Sequence, residues 1–128
     1  MSHAKGSIGA TNYVVTIVAG HHQLNADEPI ALGGKDVGPA PYELLCSALC
    51  ACTSITLRMY AERKQWPLPG VHVDVHYKRS GDEEMIERVL KFEGELDDQQ
   101  RARLADIAER TPVTLTLKHC MPIVTTLE

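Results

Sequence analysis

The stretch from Gly38 to Lys64, GPAPYELLCSALCACTSITLRMYAERK, limits what this chain can fold into more than any other, because it reads as one long helix that is apolar nearly all round. Pro39 and Pro41 suit a first helical turn, where proline's fixed φ is an advantage and its missing N–H is no loss. Behind them Leu45, Leu49, Cys52, Thr56 and Met59 recur at spacings of three and four, so they share one face. The other side, with Leu44, Ala48, Ala51, Ile55 and Leu57, is hardly more polar. Packing on one side alone would leave apolar surface wet. A sheet, a second helix or a second subunit must therefore cover both sides, and the helix is expected to be almost wholly buried. Charge returns only at Arg58 and from Glu62 to Lys64, before Trp66-Pro67 ends the helix.

The remaining segments alternate. NYVVTIV, Asn12 to Val18, is rich in β-formers, and Gly20 with His21-His22 predicts a turn into a second strand around Gln23 to Ala26. Asp27 to Pro41 reads as loop. Val71, Val73 and Val75 alternate with His72, Asp74 and His76, a half-buried strand whose histidines face solvent. A turn at Ser80-Gly81-Asp82 separates it from a second alternating run, Ile86 to Glu95. Asp97 is placed to cap a helix reaching about Arg110, with Leu104, Ile107 and Ala108 as its apolar stripe. Alternating stretches around Met121-Pro122 make the tail, Val113 to Leu127, a further strand region. Strands at both ends with two helices between them indicate an α+β fold, organised as a single domain over residues 1–128.

Charge narrows the function classes. With 13 Lys and Arg against 17 Asp and Glu, and the basic residues scattered, the chain has no footprint for nucleic acid or an anionic membrane. No uninterrupted apolar run approaches the roughly 20 residues of a membrane span, and the N-terminus lacks the pattern of a signal peptide. These features are those expected of a cytoplasmic protein. Cys46, Cys50 and Cys52 share the long helix, where neither spacing satisfies disulfide geometry, so reduced thiols are expected. Cys46 and Cys50, stacked four apart, have no further His or Cys nearby to complete a metal site, and no metal or other cofactor is expected.

The residues DEP, GG, GPAPYELL, ACTSITLRMYAERK and ERTPV, in that order, resemble the OsmC/Ohr family of thiol peroxidases, and among them a branch with a GPxPYELLxxALxACT helix. The resemblance runs from about Asp27 to Pro112. It implies an intertwined homodimer in which antiparallel sheets wrap two central helices, with active sites at the interface. It also implies that a cysteine on the central helix reduces organic hydroperoxides, that a second cysteine resolves it, and that a glutamate and an arginine assist. Cys52 falls at the first cysteine's position and Glu43 at the glutamate's. Thr111 stands where the second cysteine would be.

That departure changes the chemistry expected. A thiolate attacking an O–O bond becomes a sulfenic acid, which a neighbouring thiol normally captures before over-oxidation. Thr111 cannot do this. Cys120 is the remaining candidate for resolving Cys52; otherwise an external thiol reductant must act. Glu43 and Cys52 are nine residues apart, roughly 13.5 Å at the helical ~1.5 Å per residue, so only a partner helix could bring such groups together. The chain has no arginine before Arg58, which leaves Lys5, Lys35, His21 or His22 to supply the assisting charge. Tyr42, Leu45, Leu49 and Met59 would wall an apolar pocket suited to an organic peroxide. Three readings remain: thiol-dependent reduction of organic hydroperoxides through Cys52, a non-catalytic dimer that binds a small apolar ligand in the same pocket, and a purely structural dimer with no ligand.

Overall fold

The computed structural model describes residues 1–128, which form two compact units, Met1–Leu45 and Cys46–Glu128. In the first unit β1 (Ala4–Ile8), β2 (Val15–Ala19) and β3 (His22–Ala26) make an antiparallel sheet in that order. The expected hairpin is β2–β3: Ala19 pairs with His22 across a turn in which Gly20 takes φ 64°. The sequence reading missed β1, because AKGSI has no alternation of apolar and polar residues and all five are exposed. The loop that follows is tied to a single carboxylate. Asp27 is buried, its Oδ1 accepting from the N–H groups of Tyr13 and Glu28 and its Oδ2 from those of Lys35 and Val37. Four backbone donors that would otherwise lack partners are satisfied by one side chain.

Helix α1 (Pro41–Lys64) runs from the end of this unit into the second. Its closing residue, Gln65, adopts φ 59°, and the N–H of Trp66 donates to Ala61 O, so the chain leaves as the Trp66-Pro67 signal required. Its buried residues are Leu49, Thr53, Leu57 and Ala61, an i, i+4 row. Within one chain the expected burial is met along this row only. The core-facing row takes Leu49 from the Leu45–Met59 face and Leu57 from the opposite one, and Ile55 and Met59 are 53% and 57% exposed. An 18-residue window of α1 has mean hydropathy 1.4 and is 22% buried, so by length and composition alone the helix could cross a membrane. Scattered Ser and Thr hid that from a search for uninterrupted apolar runs.

In the second unit β4 (Val71–Ser80) and β5 (Glu83–Phe92) pair antiparallel around a turn with Gly81 at φ 61°. Val71, Val73, Val75 and Tyr77 are half-buried, and opposite them lie Phe92, Leu90, Arg88 and Ile86. His72 and His76 face out, beside Glu93 and Asp74. Helix α2 (Asp98–Ala108) begins with a capping box: Asp97 accepts from the N–H of Gln100, whose side chain accepts from the N–H of Asp97. Leu57, Ala61, Leu68, Leu96, Leu104 and Ala108 form the core. The tail departs from expectation. Thr111-Pro112 opens a short helix, α3 (Pro112–Lys118), and residues 119–128 are exposed and irregular rather than a strand. Proline at the first helical position outweighs the β-propensity of VTLTL.

Candidate functional site

Cys52 lies on α1 next to the buried Thr53, and its sulfur is half-buried. Two polar groups flank it. The N–H of Val113, 61 residues on, points at Sγ from 3.4 Å, and the hydroxyl of Thr56, one turn along α1, lies at 4.0 Å. Val113 is the second residue of α3 and Thr111 is that helix's N-cap. The tertiary fold therefore joins the two segments singled out by sequence, the cysteine of ACT and the ERTPV turn.

Thr111 is fully buried, and its hydroxyl is 2.6 Å from that of Thr114. Thr114 Oγ1 is 3.3 Å from the carbonyl of Ala108, to which it donates, so its oxygen is left to accept from Thr111. A guanidinium completes the network. Arg88 Nη1 donates to Thr53 Oγ1 at 3.1 Å and Thr114 Oγ1 at 2.9 Å, while Nη2 donates to Ala108 O at 2.8 Å. The Arg88 side chain is 11% exposed, with a carboxylate oxygen of Glu109 at 3.9 Å. No buried side-chain nitrogen or oxygen is left without a hydrogen bond.

Sequence reasoning missed Arg88, although a signal was present. In β5 the inward phase is Ile86, Arg88, Leu90, Phe92, so a charged residue sits where the alternation demands an apolar one. A cation in that phase needs several acceptors, because burying a charge unpaired is costly.

The other thiols differ in chemistry. Cys50 Sγ donates to the carbonyl of Val73 at 3.6 Å. Burial pushes its thiol up, and the neighbouring Cys46 and Asp74 push it further the same way, so it is held as SH. Cys120 is exposed in the tail, and all four cysteines are free. No group of three or more His, Cys, Asp or Glu side chains is arranged to hold a metal ion.

The remaining expected site residues each have their own local surroundings. Glu43 is exposed at the start of α1, where its Oε1 accepts from the N–H of Ala40 at 2.9 Å. Lys5 and Lys35 are exposed, and His21 and His22 stack on each other with ring centroids 4.1 Å apart. Leu49 is buried, Leu45 half-buried, and Tyr42 and Met59 are 49% and 57% exposed. Leu49 and Met59, both in the second unit, are ten residues apart on α1, about 15 Å of helix rise.

In this α+β chain the cysteine of the long helix meets the turn after a second helix. Residues 33–126 match the family described as OsmC-like protein, and the chain belongs to that family. Solved structures share the fold, three of them as follows. An OsmC like protein from Mycoplasma pneumoniae matches with a TM-score of 0.79 at 18% identity, over 92% of this chain and 87% of that one. The organic hydroperoxide resistance protein OsmC from Legionella pneumophila matches with 0.66 at 21%, over 92% and 89%. The organic hydroperoxide resistance protein OhrB of Bacillus subtilis matches with 0.65 at 16%, over 92% and 90%. No curated protein matches by sequence.

Proposed function

We propose that this protein reduces organic hydroperoxides with Cys52 as the reactive thiol and an external thiol as reductant, acting as a homodimeric cytoplasmic protein of redox defence. The observation that carries the reading is the Val113 N–H directed at Cys52 Sγ, a donor placed where a thiolate can accept it. Family membership and the names of two fold relatives, both organic hydroperoxide resistance proteins, support the substrate class. In the proposed cycle the Cys52 thiolate takes the distal oxygen of ROOH, the O–O bond breaks, and the alkoxide leaves with a proton as ROH. The resulting sulfenic acid is attacked by an external thiol with loss of water, and a second thiol releases Cys52 as thiolate. Thr111 supports the external route, because its hydroxyl is buried and bonded where the family's second cysteine would stand.

We read residues 1–128 as one OsmC-like domain, since the family match runs through the boundary between the two compact units. A second copy would cover the exposed face of α1 and could bring its own Glu43 and Tyr42 towards Cys52. The same sealed Thr111 favours one competing reading, a dimer that binds a small apolar ligand without turnover. Mass spectrometry after cumene hydroperoxide treatment separates the two. The peroxidase reading expects oxidation confined to Cys52 and reversed by dithiothreitol with turnover. Peroxide left unconsumed, with Cys52 unmodified, would refute it.

A further inference from the structure

We propose that Arg88 is a positioning residue for the Cys52 thiol, a three-way clamp that holds the Val113 N–H on Sγ. The inference rests on the reading of Cys52 as the reactive thiol. Cys52 and Val113 belong to different elements, and their contact is a single long hydrogen bond to sulfur. Such a bond is too weak to fix two helices against each other. One residue along from each partner lies a threonine, Thr53 on α1 and Thr114 on α3, and Arg88 Nη1 donates to both hydroxyls. The third bond, Nη2 to the carbonyl of Ala108, ties the end of α2 to the same guanidinium. A planar fork can span three acceptors in fixed directions, which a lysine ammonium cannot. The hydrogen bonds of Arg88 go to Thr53, Thr114 and Ala108 and not to the sulfur, so its effect passes through the two threonines.

The position of Arg88 also gives the clamp a rigid base. It sits on β5 opposite Val75, inside the β4–β5 ribbon, while its neighbours Leu90 and Phe92 pack against the core. Glu109, 3.9 Å from Nη2, is 62% exposed and bound to Lys118 at 3.0 Å, so it is a rim charge rather than a fourth anchor.

The test is the rate at which Cys52 is alkylated by iodoacetamide relative to Cys120, read peptide by peptide in the full-length protein. In wild type Cys52 should be the faster; if it is not, the reading of Cys52 fails before Arg88 is at issue. Arg88→Met is expected to lower the Cys52:Cys120 ratio about tenfold or more, the scale of one hydrogen bond to a charged group. Arg88→Lys keeps the charge without the fork and should stay slow. Full recovery by lysine would mean that charge, not position, is what Cys52 feels, and would overturn the proposal. Thr53→Val and Thr114→Val each remove one anchor with little change of shape and should lower the ratio too. They also carry the test if neither Arg88 variant folds. Folded, wild-type-like circular dichroism with an unchanged ratio in these variants would reduce Arg88 to a purely structural ion.

Discussion

The exposed face of α1 can be tested by truncating Ile55 and Met59 together to alanine. Both are slightly more than half exposed, while Leu57 between them is fully buried in the core. Fully burying a side chain of this kind is worth about 1.5–3 kcal/mol, so each still has about 1 kcal/mol to gain from a cover. Two residues on each of two copies amount to roughly 4 kcal/mol of association, or about a thousandfold in Kd. Within one chain the same changes touch little, and the folding stability of an isolated subunit should move by no more than about 0.5 kcal/mol. Leu57→Ala supplies the contrast, because it opens the core and should cost about 2–5 kcal/mol of folding stability. Sedimentation velocity across the micromolar range reads association, and urea unfolding reads stability. The wild type is expected to sediment as a dimer in this range and the double variant as a folded monomer. A folded wild-type monomer at micromolar concentration, or a double variant that dimerises as tightly as wild type, would refute the reasoning.

Cys52→Ser should abolish peroxide consumption while leaving the circular dichroism spectrum unchanged, and Cys50, held as a thiol, should be the slowest of the four cysteines to alkylate at neutral pH. Thr111→Cys returns a thiol to the turn that touches Cys52, and peroxide should then remove two hydrogens per chain and protect Cys52 from sulfinic acid. Finding that loss in wild type, mapped to Cys52 and Cys120, would show that Cys120 resolves instead. For Asp27, burial pushes the carboxyl up, but four backbone N–H groups outweigh it and hold the group below its ordinary range. Its stabilising effect is therefore complete above the unfolded-state value near ~4 and is lost as the pH falls through the lower folded value. Thermal unfolding between pH 6 and 2.5 should show this fall in Tm in wild type and a flatter profile in Asp27→Asn, whose amide nitrogen cannot accept two of the four bonds.

Local signals made much of the fold legible. Pro41, the apolar run behind it and Trp66-Pro67 bounded α1; alternation drew β4 and β5; Asp97 marked the start of α2. Each of these is a property of residues within one or two turns of each other, where backbone propensity and side-chain period act directly. Cys52 and Thr111 also stood out as single positions. What joined them was not legible. The contact between Cys52 and Val113 crosses 61 residues and depends on how α1 and α3 pack in the second unit, which no local spacing encodes. The burial of Arg88 follows the same rule. Its phase in β5 could be read from the sequence, but its three acceptors come from α1, α2 and α3, and only their assembly makes a buried cation there tolerable. The tail shows the limit from the other side. VTLTL carries the local pattern of a strand, yet the preceding Thr111-Pro112 starts a helix there, because a proline at the first helical position favours helical φ and loses no hydrogen bond.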